Sequence, residues 1–207
     1  MSTSAPETAH SPDVKAKRPA GGGRRRRLLS AAKWVIGVAA FVPASRLGWL
    51  AFRDNLGANP IAEAMNQLGF WTLVRLLASL AMTPIKIVTG WTWPIALRRL
   101  LGLLAFAYVC LHFSLYVGVD QFFDISEIGG DIVKRKFITV GFAAFLSLIP
   151  LAVTSTNGML KRMGARRWKR LHRLVYVAAV LGVVHFVWRV KSDLRQPLIF
   201  AAVLSVL

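Results

Sequence analysis

The chain has a single cysteine, Cys110, among its 207 residues. One thiol cannot form an internal disulfide, and it cannot supply the cysteine clusters of zinc or iron–sulfur centres. Charged residues are also sparse, at 17% of the chain, whereas an average soluble protein has about 25%. Glycine-rich nucleotide fingerprints and Walker loops are absent too. The sequence therefore offers no thiol-based metal centre and no nicotinamide site of its own.

What the chain does contain is long apolar runs, and 55% of its residues are hydrophobic. Only helices and closed barrels satisfy all backbone hydrogen bonds in lipid, and a helix needs about 20 residues to cross it. A sixth run, 197–207, reaches only ~17 Å and cannot span alone. The sequence thus predicts an all-α membrane bundle of five to six transmembrane helices over residues 33–207. The five full-length runs are 34–52, 68–88, 100–119, 137–153 and 171–188.

The N-terminal segment has a different composition. Residues 1–23 are rich in Ala, Ser, Thr, Pro and Gly without apolar periodicity, which is typical of disorder. Four consecutive arginines follow at 24–27, so residues 1–32 are predicted to form a disordered, basic, cytoplasmic tail. A signal peptide is the alternative reading, but the run 34–52 is longer than its usual apolar region, which favours a retained helix.

The net charge of +18 could indicate nucleic acid, but the distribution of the charges argues against that partner. Lysines and arginines cluster at the ends of apolar runs. The tail and the second-to-third and fourth-to-fifth connections hold 18 of the 27, while seven of the nine acids lie on the opposite side. By the positive-inside rule, the N-terminus is cytoplasmic and membrane lipid surrounds the bundle.

Three of the four histidines lie in predicted spans, where polar groups are costly and usually functional. The third and fifth spans run in the same direction, so His112 and His185 should lie at similar depth toward the outer leaflet. His172 lies at the cytoplasmic end of its span. Imidazoles facing each other from two helices suit six-coordinate haem iron. The alternative is that each histidine only bonds one helix to another.

His172 and His185 cannot share one face of a straight helix. They are thirteen residues apart, which rotates the second by about 220° relative to the first. If both bind stacked groups, a distortion near Gly182 or an irregular entry to the helix is required.

Three arginines are further candidates. Arg98 lies fourteen residues before His112 on nearly the same face, at the depth of His172. It could pair with haem propionates, or only anchor the span at the cytoplasmic side. Arg75 and Arg46 fall inside spans and should meet an anion, such as a propionate or flavin phosphate, or a carbonyl. Snorkelling to the surface is the alternative for Arg46.

With these histidines and arginines in its spans, the chain resembles the MsrQ family, within the ferric reductase-like transmembrane domains. The resemblance covers roughly residues 33–200, and its most specific stretch is RRWKRLHRLVYVAAVLGVVHFVWRVK at 166–191. The other stretches are GANP (57–60), LAMTP (80–84), RRLLGLLAFAYVCLHFSLY (98–116), DIVKRKFIT (131–139) and PLAVTS (150–155).

The resemblance implies one or two b-type haems, with His112, His172 and His185 at the metal-ligand positions, and an associated flavin mononucleotide (FMN). It implies a bacterial inner-membrane subunit that passes electrons from the quinol pool to a periplasmic molybdenum-cofactor enzyme, MsrP, which reduces methionine sulfoxide in periplasmic proteins. Related ferric reductase domains carry a second histidine where this chain has Arg98. This departure leaves open whether the inner haem is five-coordinate, differently ligated or absent.

On this reading the chain is an electron-transfer subunit of a reductase complex and not itself the methionine sulfoxide reductase. The main alternative is a transporter or proton-coupled carrier, with the intramembrane histidines and arginines lining a path. Transporters of that kind usually show sequence repeats between halves, and none is visible here.

Overall fold

The computed structural model describes residues 21–190 and 193–207, and within these ranges the regular structure is helical. Nine α-helices and one π-helical turn follow one another in the described residues. In chain order they are α1 (Gly21–Phe52), α2 (Pro60–Thr89), α3 (Trp93–Leu115), the π-helical turn (Tyr116–Asp120), α4 (Ile125–Lys134), α5 (Lys136–Val153), α6 (Asn157–Met163), α7 (Ala165–His172), α8 (Leu174–Arg189) and α9 (Arg195–Val206).

Within the part of the chain that the structure describes, five segments are long and apolar enough to cross a membrane, and each contains one of the five predicted runs. The all-α membrane bundle is therefore confirmed. The sixth run forms α9, which has 12 residues and is too short to span alone. The spanning segments are Arg27–Phe52, Pro60–Thr89, Trp93–Asp120, Lys136–Val153 and Ala165–Arg189.

The prediction for the N-terminal segment needs a correction. Helix α1 begins at Gly21, so residues 21–32 are helical and not part of a disordered tail. The block of arginines and the apolar run that follows it form one continuous helix of 32 residues. Residues 1–20, where the rest of the predicted tail falls, lie outside the described residues.

Helix α2 lies at the centre of the bundle, and its ends are set by its sequence. The Asn59 side chain accepts a hydrogen bond from the Ala62 amide at 3.1 Å, with Pro60 in the first turn. Gly90 ends the helix in the left-handed conformation, at φ 71°. Between these ends, leucines of α2 form the main core with small and aliphatic residues of the neighbouring helices: Leu73, Leu76, Leu77, Leu80, Ala105, Leu148, Ala178, Ala179 and Val183.

The fifth span is broken into α7 and α8 at Arg173. The Arg173 amide bonds to the Arg170 carbonyl at 3.3 Å, and the Tyr176 amide bonds to the Arg173 carbonyl at 3.0 Å, which tightens the turn. An irregular entry of this kind was expected only if both histidines bind stacked groups. It lies directly after His172 and not at Gly182, which is inside the continuous helix α8.

Helix α1 is mostly exposed, and two side chains of the bundle donate hydrogen bonds to its Ala40 carbonyl. The Arg75 guanidinium donates from Nη2 to the Ala40 carbonyl and from Nη1 to the Trp71 carbonyl, both at 2.8 Å. The Tyr108 hydroxyl also donates to the Ala40 carbonyl. Arg75 thus meets carbonyls, one of the two partners expected for it. Arg46 is exposed on the surface of the bundle, and its role stays a prediction.

The acidic connection between α3 and α5 is used largely for its own structure. Asp131 is buried, forms an ion pair with Arg135 at 3.0 Å, and accepts hydrogen bonds from the Tyr116 hydroxyl and the Gln121 amide. Asp124 caps α4 by accepting from two backbone amides. These bonds fix the π-helical turn against the start of α5.

Candidate functional site

Two imidazoles from non-adjacent helices face each other inside the bundle. His112 of α3 and His185 of α8 have ring centroids 6.3 Å apart, with ring planes at 85°. Both side chains line one cavity of about 340 Å³. Their similar depth was predicted from the directions of the two spans, and the structure places them as a pair.

Each ring is oriented by a backbone carbonyl of a further helix. His112 Nδ1 lies 2.9 Å from the Met65 carbonyl oxygen of α2, and His185 Nδ1 lies 2.7 Å from the Phe137 carbonyl oxygen of α5. A carbonyl can only accept, so these contacts require a proton on Nδ1 of each ring. The lone pair then remains on Nε2, the nitrogen through which a neutral histidine binds a metal when Nδ1–H is held.

The spacing of the rings fits a metal held between them. Metal–imidazole bonds of about 2.0 Å on both sides place the two ring centres roughly 6 Å apart, close to the 6.3 Å observed. Among the described residues, no group of three or more His, Cys, Asp or Glu side chains could hold an ion. The pair therefore suits a metal whose remaining ligands come from a cofactor, as in haem.

The walls of the His112–His185 cavity also fit a large cofactor with an apolar body. The volume falls within the range of small-molecule sites, about 300–1,000 Å³, and most of the lining is aliphatic or aromatic. Asn66 lines the cavity with a buried Oδ1 that has no hydrogen-bond partner. Arg135 and Arg189 supply positive charge at its wall, where carboxylates such as propionates would find partners.

A second cavity of about 450 Å³ surrounds His172 and is strongly basic. Lys33, Arg98 and Arg99 line it, so the structure brings Arg98 and His172 together as predicted from their depth. Arg98 donates to the Thr83 hydroxyl at 3.3 Å, and Arg99 donates to the Asn157 side-chain oxygen at 2.8 Å. Both guanidiniums retain unused donors for an anion, because each carries five N–H groups.

His172 is held differently from the other two histidines. Its Nε2 lies 3.1 Å from the Thr154 hydroxyl, whose single hydrogen is donated to the Pro150 carbonyl at 2.6 Å. Nε2 must therefore donate, which leaves the lone pair on Nδ1. The ring stacks on Trp168 at 3.7 Å between centroids, and the Trp168 indole donates to the Thr154 carbonyl. In this arrangement Nε2 of His172 is occupied and does not present a lone pair to iron.

The two cavities share a wall. Leu76 and Leu148 line both. Phe106 on the His172 side stacks almost parallel to Phe145 on the other side, with centroids 6.3 Å apart and planes 5° apart. The sites are thus separated by one layer of apolar side chains.

Arg75 was also a candidate for cofactor binding, which stays a prediction. It lines neither of the two cavities, and its guanidinium is used by the Ala40 and Trp71 carbonyls and by the faces of Tyr108 and Trp71. Together with exposed Arg46, it gives no support to the transporter reading, which needed both arginines along a path.

Sequence reasoning missed several residues of the two sites. The carbonyls of Met65 and Phe137 carry no side-chain signal that a sequence could show. Asn66 and Lys33 were visible as polar residues in or next to apolar runs, and their proximity to the histidines depends on helix packing. Thr154 was part of the stretch PLAVTS but had no role assigned to it.

A family model described as a ferric reductase like transmembrane component matches residues 68–183, which include His112 and His172 and end two residues before His185. The protein-methionine-sulfoxide reductase heme-binding subunit MsrQ of Rhodospirillum rubrum is 56% identical over 170 residues, or 82% of each chain. The chain belongs to the MsrQ family. A relative with the same name from Herminiimonas arsenicoxydans is 51% identical over 181 residues, covering 86% of this chain and 83% of the relative.

A third MsrQ relative, from Caulobacter vibrioides, is 48% identical over 169 residues, covering 82% of this chain and 80% of its own. The resemblance noted from the sequence is thereby confirmed, as is a multi-pass membrane protein of the ferric reductase-like class. The name of these MsrQ relatives states that they bind haem and are subunits of a reductase.

Proposed function

We propose that this MsrQ-family chain is a haem-binding electron-transfer subunit of a methionine sulfoxide reductase system. The observation that carries the proposal is the His112–His185 pair, with 6.3 Å between ring centroids and both Nδ1 atoms on backbone carbonyls. Two such imidazoles would hold one iron through their Nε2 lone pairs. Bound haem b supplies a one-electron iron couple.

In this proposal the protein holds, orients and shields the cofactor. The Met65 and Phe137 carbonyls fix the rotation and tautomer of the two ligands. Arg135 and Arg189 favour the carboxylates of a bound group and stabilise its reduced, more negative state. The apolar lining would keep water from a bound metal, so that His112 and His185 would be the protein groups that hold it.

We further propose that the His172 cavity holds flavin mononucleotide. Its support is the set of cations Lys33, Arg98 and Arg99, which suit a phosphate, together with the stacked rings of Trp168 and His172. His172 then acts as a hydrogen-bonding residue and not as an iron ligand. One haem, at the His112–His185 pair, is the cofactor count that follows.

The partners complete the proposal. Electrons enter from the quinol pool at the basic side of the membrane, pass the Phe106–Phe145 layer and leave at the side of Arg135 and Arg189. There a periplasmic MsrP-like molybdoenzyme uses them to reduce methionine sulfoxide in oxidised proteins. In this orientation the N-terminus is cytoplasmic and the membrane is the bacterial inner membrane.

The test is spectroscopic, on full-length protein purified in detergent. The wild type should show a low-spin b-type haem spectrum, with a pyridine haemochrome assay giving one haem per chain. His112→Ala and His185→Ala should each abolish the low-spin signal, whereas His172→Ala should retain it. Unchanged reduced-minus-oxidised spectra in both variants of the pair would reject the assignment.

A further inference from the structure

Gly141 lies where the His185 ring meets helix α5. His185 Nδ1 donates to the carbonyl of Phe137, and Gly141 follows Phe137 by four residues. In an α-helix the carbonyl of residue i accepts the amide of residue i+4. A carbonyl oxygen has two lone pairs, so it can accept the amide and the imidazole together. The imidazole thus adds a second bond at a helical carbonyl that is already satisfied.

The same arrangement recurs on helix α2. His112 Nδ1 donates to the Met65 carbonyl, and Gly69 follows Met65 by four residues. His112 and His185 therefore each bond a helical carbonyl oxygen whose other partner is the backbone amide of a glycine four residues later in the chain. The two glycines come from different helices and different parts of the sequence.

In an α-helix, the side chain of a residue can reach the carbonyl oxygen of the residue four positions earlier. Elsewhere in this bundle, hydroxyl side chains do so: Thr72 Oγ1 donates to the Leu68 carbonyl and Ser147 Oγ to the Ala143 carbonyl, both at 2.8 Å. A glycine at that position has no side chain, so the second lone pair of the carbonyl oxygen stays accessible to a residue of another helix. His112 of α3 and His185 of α8 bond the carbonyl oxygens at these two positions.

The fit of the ring is much closer at Gly141 than at Gly69. A Cβ on Gly141 would lie 2.6 Å from His185 Nδ1 and 2.8 Å from Cε1. A Cβ on Gly69 would lie 3.5 Å from His112 Cε1, which is ordinary van der Waals contact. A methyl group at 141 therefore cannot coexist with the observed position of the ring, whereas one at 69 can.

We propose that Gly141 is a positioning residue for the axial ligand His185, and that Gly69 serves His112 in the same way with more room. This inference rests on the proposed function, because it assigns the rings to iron. The absence of a side chain lets each imidazole lie against the helix backbone, bond the carbonyl through Nδ1–H and turn Nε2 into the cavity. Any larger residue at 141 removes the carbonyl bond and rotates the ligand.

The experiment compares four variants of full-length protein in detergent: Gly141→Ala, Gly69→Ala, Gly69→Ser and Gly129→Ala. Gly141→Ala should weaken haem binding by about 10–100-fold, as outer-shell changes do, and convert the low-spin spectrum to high spin. Gly69→Ala should have a much smaller effect. Gly69→Ser should resemble Gly141→Ala, because its hydroxyl competes for the Met65 carbonyl. Gly129, with nothing within 4 Å of an added Cβ, is the control for helix propensity.

A second measurement guards against simple misfolding. In the apoprotein, Gly141→Ala should lower the unfolding temperature when His185 is present. In a His185→Ala background the ring that would clash is absent, so the same substitution should change the unfolding temperature only slightly. Equal losses in both backgrounds would overturn the proposal, and so would a Gly141→Ala protein with the wild-type spectrum and haem affinity. A wild type that binds no haem would refute the proposed function instead, and with it the ligand role of the ring.

Discussion

One contact between helix α1 and the bundle depends on a single oxygen atom, the hydroxyl oxygen of Tyr108. Tyr108 is 3% exposed, and its hydroxyl donates to the Ala40 carbonyl and accepts from the Ala44 amide at 3.2 Å. Pro43 lies between these two residues and lacks an amide hydrogen, which interrupts the hydrogen-bond ladder of α1. The phenol oxygen thus bridges the two sides of the interruption.

Tyr108→Phe keeps the ring under the Arg75 guanidinium and removes only this bridge. The Ala40 carbonyl still accepts from Arg75 Nη2 at 2.8 Å, so the main loss is the partner of the Ala44 amide. Leaving a buried donor unpaired costs about 1–3 kcal/mol, and this range is an upper bound here because the Ala44 bond is only partly buried. Because α1 is otherwise mostly exposed, we expect this loss to act on its local attachment more than on the whole bundle.

Hydrogen–deuterium exchange measures that local attachment. A loss of about 1–3 kcal/mol in the opening free energy raises exchange roughly 5- to 150-fold. The increase should be confined to peptides of α1 around Ala40, with α2 and α8 unaffected. Tyr176→Phe is the matched control, since Tyr176 lies on α8 with 43% of its surface exposed. If α1 exchanges alike in the two variants, the bridging role of the hydroxyl is wrong.

Two further outcomes are expected. Asp131→Ala should lower the free energy of unfolding by about 1–3 kcal/mol, because it leaves the partly buried Tyr116 hydroxyl without its acceptor. Chemical denaturation checks this against Glu127→Ala, whose side chain is exposed, and equal stabilities would contradict it. Thr154→Val removes the acceptor of His172 Nε2, so bound flavin should fall while the low-spin haem signal persists; loss of the haem signal alone would reverse the assignment of the cavities.

The fold was predictable because membrane thickness constrains the chain so tightly. An apolar run of about 20 residues has one compatible structure in lipid, so all five spans follow from composition and length. The start of α1 was not predictable in the same way. The arginines at 24–27 interrupt the apolar pattern, yet arginine is a good helix former and extends the helix toward Gly21.

For the site, the sequence predicted only the depth of the histidines in the membrane. Equal positions along two parallel spans indicated that His112 and His185 should meet, and they do. Rotation about each helix and the choice of nitrogen depend on packing and on backbone carbonyls, which the sequence does not display. For Arg75, burial in a span required a partner, but a single sequence cannot distinguish a cofactor anion from the Ala40 carbonyl.

In the proposed function, the three intramembrane histidines serve two purposes in this bundle. At His112 and His185, backbone carbonyls accept a hydrogen bond from Nδ1–H, so the lone pair lies on Nε2. At His172, the Thr154 hydroxyl accepts a hydrogen bond from Nε2–H, and Arg98 and Arg99 lie near the ring. Fixed positive charge in a medium of low dielectric favours an anion such as a phosphate. In the proposed function, the partner of each ring nitrogen, more than the presence of histidine, therefore separates the haem site from the flavin site.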